Sequence, residues 1–247
     1  MAQVAVIIPA AGRSTRFGGL EKKPFAPLDG RPVWQRSAEL FWSRPDVTKV
    51  YLVVSPDDRD EFRQRFGHLL AFNNAQLVSG GAERFESVAN ALAVVPEEVE
   101  LVAVHDAVRP LTPPALVDAV FAAAATHGAA LLAVPLADTL KRVETGSTQV
   151  LETVPRGGLW QAQTPQVFCR DWLVDAYTRR TTLPGPITDD AQLVEAAGHP
   201  VHVVTGTALN FKITTQDDLA LAETILRARN AKPVERPSRA FDDDAKW

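Results

Sequence analysis

The chain has 247 residues, 46% of them hydrophobic and 23% charged, with a formal net charge of −4 at neutral pH. That length admits one large α/β domain or two small ones, and the apolar share is enough for a real core. The acidic balance excludes a general nucleic-acid binder, which would be basic, and the single cysteine, Cys169, excludes an internal disulfide and suits a reducing, cytoplasmic compartment.

In chain order, Val4 to Ile8 is a short apolar run with β-branched residues, the pattern of a strand buried on both faces. It moves straight from the N-terminus into Pro9-Ala10-Ala11-Gly12, with no basic region of a signal peptide. These small residues let backbone N–H groups approach a ligand, and Arg13, Arg16, Gly18 and Gly19 follow, so the stretch is a natural anion site. It is neither GxxxxGK[ST] nor GxGxxG, because the glycines fall at 12, 18 and 19. Leu28 to Pro32 reads as a turn, and Val33 to Ser43 as a helix with Trp34, Ala38, Leu40 and Phe41 toward the core. Val50 to Val54 is a second strand, Pro56-Asp57-Asp58 opens a helix, and Gln76 to Val78 is a third strand.

Ser79-Gly80-Gly81-Ala82-Glu83-Arg84 then leads into a helix from Phe85 to Val94, with Arg84 and Ser87 on one face near its start. Leu101 to Val104 is a fourth strand ending in His105-Asp106-Ala107-Val108-Arg109-Pro110. In an open α/β sheet the carboxyl ends of strands carry the site. Asp106 and Arg109 are therefore candidates for a metal-nucleotide and a phosphate, or else a local ion pair that shapes the loop; His105 reads as a neutral hydrogen-bonder. Pro113 to Thr126 is an alanine-rich helix and Ala129 to Pro135 a fifth strand.

From Leu136 to Pro155 the helical rhythm breaks, and two β-prone runs flank a Gly146 turn, which predicts a protruding hairpin arm. A lone ribbon is marginal in water, so it should pack on a second subunit. Arg156 to Gln166 leads back to the sheet, and Trp172 to Arg179 is helical. Thr188 and Asp189 read as the cap of a helix from Ala191 to Ala197, which by itself accounts for both. Val201 to Val204 and Asn210 to Ile213 read as strands, and Thr214 to Asp218 caps a last helix to about Arg229. With no separating linker, residues 1–230 read as one domain with an arm over 136–156, and 231–247 as a flexible tail. The expected fold is α/β: Rossmann-like, three-layered α/β/α, with a mostly parallel twisted sheet. No apolar run reaches the roughly 18 residues that span a bilayer, and the histidines show no zinc spacing.

The opening loop with Lys23 resembles the glycine-rich loop of nucleotidyltransferases that wraps a nucleoside triphosphate. Eight motifs in one order extend the likeness: PAAGRSTRFG, Lys23, GGAERFESV, VHDAVRP, DTLKR, TVPRGGLWQAQTPQ, ITDDA and NFKITTQDDLALAE. Together they resemble the 2-C-methyl-D-erythritol 4-phosphate cytidylyltransferases of the non-mevalonate isoprenoid pathway. That resemblance implies CTP and a sugar-alcohol phosphate as partners, Mg²⁺ as cofactor, and a homodimer joined by the arm. Pro9, Ala10, Ala11, Gly12, Gly81, Ser87 and Asp106 would hold the nucleotide. Arg16 and Lys23 would stabilise the transition state. Asp106, Arg109, Thr139, Arg156, Thr188 and Lys212 would hold the sugar phosphate, with Thr139 and Arg156 acting across the dimer and with Arg156 and Lys212 catalytic beside Arg16 and Lys23. Mg²⁺ would arrive on CTP and take at most one protein carboxylate, Asp106. Where the family often has Pro-Lys-Gln this chain has Lys22-Lys23-Pro24, and spacing to Phe25 and Leu28 selects Lys23. Ala82 and Leu209 stand where acidic residues are common. A ribitol 5-phosphate cytidylyltransferase shares most of these motifs and is the alternative. A molybdenum-cofactor cytidylyltransferase would give the arm and the NFK motif no purpose. A turnover-free nucleotide-binding module would not need the charges at Lys23, Asp106 and Lys212.

Overall fold

The structure, a computed structural model, describes residues 2–12, 22–180 and 185–230. Arg16 and the tail from 231 lie outside the described residues. The chain begins with β1 (Val4–Pro9), whose side chains alternate between two apolar layers. Val4, Val6 and Ile8 enter one layer, Ala5 and Ile7 the other. A strand apolar at every position is stable only where both faces are covered, as here. Pro27–Leu28 (β2) and Arg31–Pro32 (β3) form a tiny hairpin around Asp29 and Gly30, both at positive φ, the conformation a two-residue turn of this kind requires.

The remaining elements follow in order: α1 (Val33–Trp42), β4 (Val47–Val54), α2 (Arg59–Phe72), β5 (Ala75–Ser79), α3 (Arg84–Leu92), β6 (Leu101–Val104), α4 (Pro114–His127), β7 (Ala129–Pro135), β8 (Leu140–Val143), β9 (Val150–Val154), β10 (Trp160–Cys169), α5 (Arg170–Thr178), α6 (Asp190–Ala196), β11 (His202–Thr205) and α7 (Gln216–Asn230). Seven strands form the central sheet in the order β11-β7-β10-β6-β1-β4-β5. All neighbours are parallel except β10, which runs antiparallel to β6 and β7. One face is covered by α1, α2 and α4 through Trp34, Phe41, Phe62 and Phe121. The other is covered by α3, α5 and α6 through Val88, Leu173, Tyr177 and Val194. The layered, mostly parallel sheet is thus as expected. A third apolar cluster seats α7 against the β2–β3 hairpin and residues 108–111, through Leu28, Leu111, Ile213 and Ala222.

Two expectations need correction. The segment from 156 to 169 contains a full central strand, β10. Its register with β7 shifts between Ala162 and Gln166, and Pro165 lies inside that break, where its missing N–H costs no ladder bond. Asn210 to Ile213 forms no strand. Instead the Ile213 N–H donates to the Val108 carbonyl at 2.9 Å, and the Ile213 side chain is fully buried in the third cluster. The strands β8 and β9 pair only with each other, as the arm predicts, and Val150 and Leu151 are 51% and 59% exposed on it.

Candidate active site

Every parallel strand from β5 across to β6 ends at one cavity of about 580 Å³. Its walls come from Pro9 to Gly12 after β1, Ser55 to Asp57 after β4, Gly80 to Ser87 after β5, and Asp106 and Val108 after β6, with Lys22, Lys23 and Lys212 closing it. This is the crevice at the carboxyl ends of the strands where open α/β sheets bind ligands. Interstrand bonds carry on past the strand ends and set these loops: Ala10 N–H donates to Val53 O, Gly80 N–H to Val54 O and His105 N–H to Ile7 O, at 2.7, 2.7 and 2.9 Å.

The diglycine is needed for close approach. A Cβ on Gly80 would fall 2.7 Å from Ala11 Cβ and 2.9 Å from Ser87 Oγ; one on Gly81 would run into Glu86. The Ser87 hydroxyl accepts the Gly81 N–H at 3.1 Å and donates to Glu83 O at 3.2 Å, so it holds the turn that faces the cavity. Glu83 and Glu86 cap α3 reciprocally. Lys23 starts a single helical turn, Lys23–Phe25, anchored by Phe25 on Phe62 with ring centroids 5.9 Å apart. Both lysines line the cavity, and Lys22 grips the Asp58 carboxylate with 2.6 Å contacts to both oxygens.

A second cavity of about 270 Å³ adjoins the first and shares Arg84, Asp106 and Lys212 with it. Its other walls include Arg109, Gln163, Thr164, Gln166, Thr188 and Asp189. Three cations converge on the shared Asp106 carboxylate: Lys212 Nζ at 3.0 Å, Arg109 Nε at 3.3 Å and Arg84 Nε at 3.5 Å. Burial alone would raise the Asp106 pKa, but Arg84, Lys212 and Arg109 outweigh it and hold the carboxyl far below the usual carboxylate range. Burial would lower the Arg84 pKa, yet Asp190 and Asp106 raise it above its ordinary value. Both stay charged at any working pH. The local Asp106–Arg109 ion pair foreseen from their spacing exists, as one part of this larger cluster.

The loop carrying Asp106 and Arg109 is pinned from beneath. Asp106 N–H donates to Thr164 Oγ1 at 3.0 Å, and Thr164 Oγ1 lies 3.2 Å from His105 Nδ1. His105 Nε2 lies 3.1 Å from Arg109 O. The pattern closes if the threonine hydroxyl donates to Nδ1 and Nε2–H donates to the carbonyl, which makes His105 a neutral tautomer. Burial lowers the His105 pKa to about 4, with the Asp106 charge opposing it only in part. His105 is thus the oriented neutral hydrogen-bonder expected. The fully buried Asn210 donates to Thr164 O at 2.9 Å and accepts from Thr112 Oγ1 at 2.8 Å, while its own carbonyl accepts from Arg109 Nη1 at 2.7 Å. With Ile213 buried one residue past it, Lys212 is set beside Asp106.

The sequence candidates Pro9, Ala10, Ala11, Gly12, Lys23, Gly81, Ser87, Asp106 and Lys212 line the larger cavity. Arg109 and Thr188 line the smaller, with Asp106 and Lys212. Asp189, as foreseen, caps α6, accepting from Gln192 N–H at 3.0 Å, and the helix begins at Asp190. Thr139 and Arg156 line neither cavity. They are exposed in and beside the arm, where the Arg156 guanidinium donates to the Ala137 carbonyl. Residues without an assigned role in the sequence reading also enter the site, namely Arg84, Thr164 and Gln166, and Asp190 lies buried beside it against Arg84. Arg84 did stand out as a face-mate of Ser87; the others carried no local signal.

A protein-family profile described as IspD: 2-C-methyl-D-erythritol 4-phosphate cytidylyltransferase matches residues 4–228. A 2-C-methyl-D-erythritol 4-phosphate cytidylyltransferase of Rhodopirellula baltica is 45% identical over 236 residues, covering 91% of this chain and 95% of that protein. The crystal structure of 4-diphosphocytidyl-2C-methyl-D-erythritol synthase from Anaerococcus prevotii superposes with a TM-score of 0.77 at 29% identity, covering 92% of this chain and 96% of that one. That of the 2-C-methyl-D-erythritol 4-phosphate cytidylyltransferase from Thermus thermophilus gives a TM-score of 0.74 at 35% identity, covering 90% of this chain and 98% of that one. A profile spanning nearly the whole sheet, relatives at this identity, and two adjoining cavities joined by a cation-ringed carboxylate agree: the chain belongs to the IspD family, the 2-C-methyl-D-erythritol 4-phosphate cytidylyltransferases.

Proposed function

We propose that this chain transfers CMP from CTP to 2-C-methyl-D-erythritol 4-phosphate, with the nucleotide in the larger cavity and the sugar phosphate in the smaller. The observation that carries the reading is the meeting of Arg84, Arg109 and Lys212 on Asp106 in the wall common to both cavities. An oxygen of the sugar phosphate attacks the α-phosphorus of CTP. The new O–P bond forms as the bond from the α-phosphorus to the α–β bridging oxygen breaks, and its electron pair leaves with pyrophosphate. The attacking phosphate monoester is already ionised near neutral pH, so positioning and charge neutralisation supply the catalysis. Lys212 and Arg109 receive the incoming phosphate, and Lys23 with Arg16 meets the charge that builds on the triphosphate. Pro9 to Gly12, Gly81 and Ser87 offer backbone and hydroxyl groups to the cytidine, and Thr188 borders the acceptor.

Among the described residues no three His, Cys, Asp or Glu side chains group as a metal site. Asp106 is the carboxylate that lines both cavities, and at most one protein carboxylate suits a Mg²⁺ that travels with its nucleotide. Mg²⁺ bound to the triphosphate would neutralise its charge, and Asp106 is the carboxylate that would reach it. The exposed Val143, Val150 and Leu151 on an isolated ribbon support a homodimer in which the arm packs on the partner and carries Thr139 and Arg156 to its site. The same reading treats residues 1–230 as one catalytic domain with 231–247 as a flexible tail. No helix among the described residues is long and apolar enough to cross a membrane. With the single half-buried Cys169, this supports a cytoplasmic enzyme.

Pyrophosphate release from CTP tests the function. Release with methylerythritol phosphate and not with ribitol 5-phosphate is expected. The reverse preference would move the chain to the ribitol enzymes, and no release with either would leave a binding module.

A further inference from the structure

One buried charge next to the site has no part in the reaction as described. Asp190, the first residue of α6, has a side chain only 1% exposed. Its Oδ1 accepts the Tyr177 hydroxyl of α5 at 2.6 Å, and its Oδ2 lies 2.8 Å from Arg84 Nη2 of α3 with no other partner among the described residues. The start of α6 is itself fastened to β10. Gln166 donates to Asp189 Oδ2 at 2.8 Å and accepts the Ala191 N–H at 3.0 Å. A carboxylate held from two sides in this way is a rigid anchor. Arg84 is stretched between it and Asp106, its Nε 3.5 Å from Asp106 Oδ1.

We infer that Asp190 is a positioning residue which, by holding Arg84 in the wall between the two cavities, couples the nucleotide half-site to the acceptor half-site. The geometry is suited to that. Arg84 sits on the helix that follows the diglycine of the nucleotide cavity; Asp190 sits two residues after Thr188 of the acceptor cavity. Their ion pair ties α3 directly to α6 at the active site. A planar guanidinium spreads its donors over separate nitrogens in fixed directions, here Nε toward Asp106 and Nη2 toward Asp190, and so holds two carboxylates in a set geometry that the single nitrogen of an ammonium does not fix. Without Asp190 the guanidinium collapses onto Asp106. There it displaces Lys212, the half-exposed and least constrained of the three cations, from the place where it meets the acceptor phosphate.

The inference rests on the two-cavity reading above, so the test separates the two. Pyrophosphate release is measured for the wild type, Asp190→Asn, Asp190→Glu, Arg84→Lys and the Arg84→Lys/Asp190→Asn double variant, with CTP affinity taken separately by calorimetry. Asp190→Asn is expected to lower kcat/KM for the sugar phosphate tenfold or more while CTP affinity alone changes less than threefold. Asp190→Glu is expected to restore most of the loss. In the Arg84→Lys background, Asp190→Asn should change kcat/KM by less than twofold, because the residue acts through the arginine fork. An active wild type with Asp190→Asn within twofold of it, or effects of the two substitutions that multiply, overturns the inference. A wild type that releases no pyrophosphate overturns the cavity assignment instead. If Asp190→Asn lowers the thermal midpoint too far for rates to be taken, Tyr177→Phe replaces it, since it keeps both charges. A threefold loss that disappears in the Arg84→Lys background supports the coupling, and no loss overturns it.

Discussion

Replacing Lys212 by alanine separates what this residue does for the fold from what it does for the reaction. Its Nζ lies 3.0 Å from Asp106 Oδ2, and its side chain is 39% exposed. Solvent screens a pair that open, so its loss costs stability about 1 kcal/mol at most. Asp106 retains Arg84 and Arg109, so no buried charge is left without a partner. For a protein of this size, that corresponds to a fall in thermal midpoint of about 2–4 °C. The reaction is expected to suffer far more. A lost charge at the reacting phosphates is worth about 3–4 kcal/mol by analogy with oxyanion donors, which at 1.36 kcal/mol per tenfold amounts to roughly 10²–10³ in kcat/KM. Initial rates of pyrophosphate release at saturating CTP, with the sugar phosphate varied, should place most of this in KM for the sugar phosphate. A scanning-fluorimetry melt on the same samples checks the fold. If KM for CTP rose and that for the sugar phosphate did not, the two cavities would be assigned the wrong way round. A melt lowered by more than about 10 °C would mean that the loss is one of folding and the reasoning from exposure is wrong.

Four further outcomes are expected. Lys23→Ala and Arg16→Ala should each lower turnover roughly a hundredfold or more; near-wild-type rates in both purified variants would remove them from the chemistry. Gly80→Ala forces a Cβ to 2.7 Å from Ala11 Cβ and should cost about 1–3 kcal/mol of stability, read by denaturant unfolding. Gly12→Ala, with nothing within 4 Å of its Cβ among the described residues, should unfold like wild type. His105 has its pKa lowered to about 4 by burial, so below pH 6.5 the unfolded chain binds the proton and the folded one resists it. Stability is therefore full above pH 6.5 and declines toward pH 4, by about 3 kcal/mol in all. His105→Gln should flatten that decline in denaturation curves at pH 7, 6 and 5, and an unchanged slope would contradict a buried neutral imidazole. Val150→Lys with Leu151→Lys should shift the protein toward monomer in sedimentation velocity while leaving its melt nearly unchanged; a wild type that sediments as a monomer would rule out the arm's role.

Much of this architecture could be read directly from the chain, wherever the determinant is local. β1 is apolar at every position, so it needed cover on both faces. Asp29-Gly30 favoured positive φ at two successive residues, and Asp189 had an amide three residues on to cap. The small residues at 10–12 and the diglycine at 80–81 foretold close backbone approach, because only they leave room for it. The ring of charge on Asp106 was legible only in part. Arg109 lies three residues away, but Lys212 and Arg84 arrive from distant parts of the chain.

By itself, the order of residues determined the alternation of strands and helices, the caps and turns, and the small-residue loops at strand ends, because each depends on neighbours within a few positions. Only the tertiary structure decided that β10 runs antiparallel between β6 and β7, because Pro165 and its polar neighbours disguise a strand whose partners lie far away in sequence. It alone turned the β-prone stretch at 210–213 into a loop. There Asn210 gains more from buried hydrogen bonds to Thr164 and Thr112 than it could from a sheet edge. The Arg84–Asp190 tie has the same origin: charges more than a hundred residues apart become partners only where packing removes them from water together.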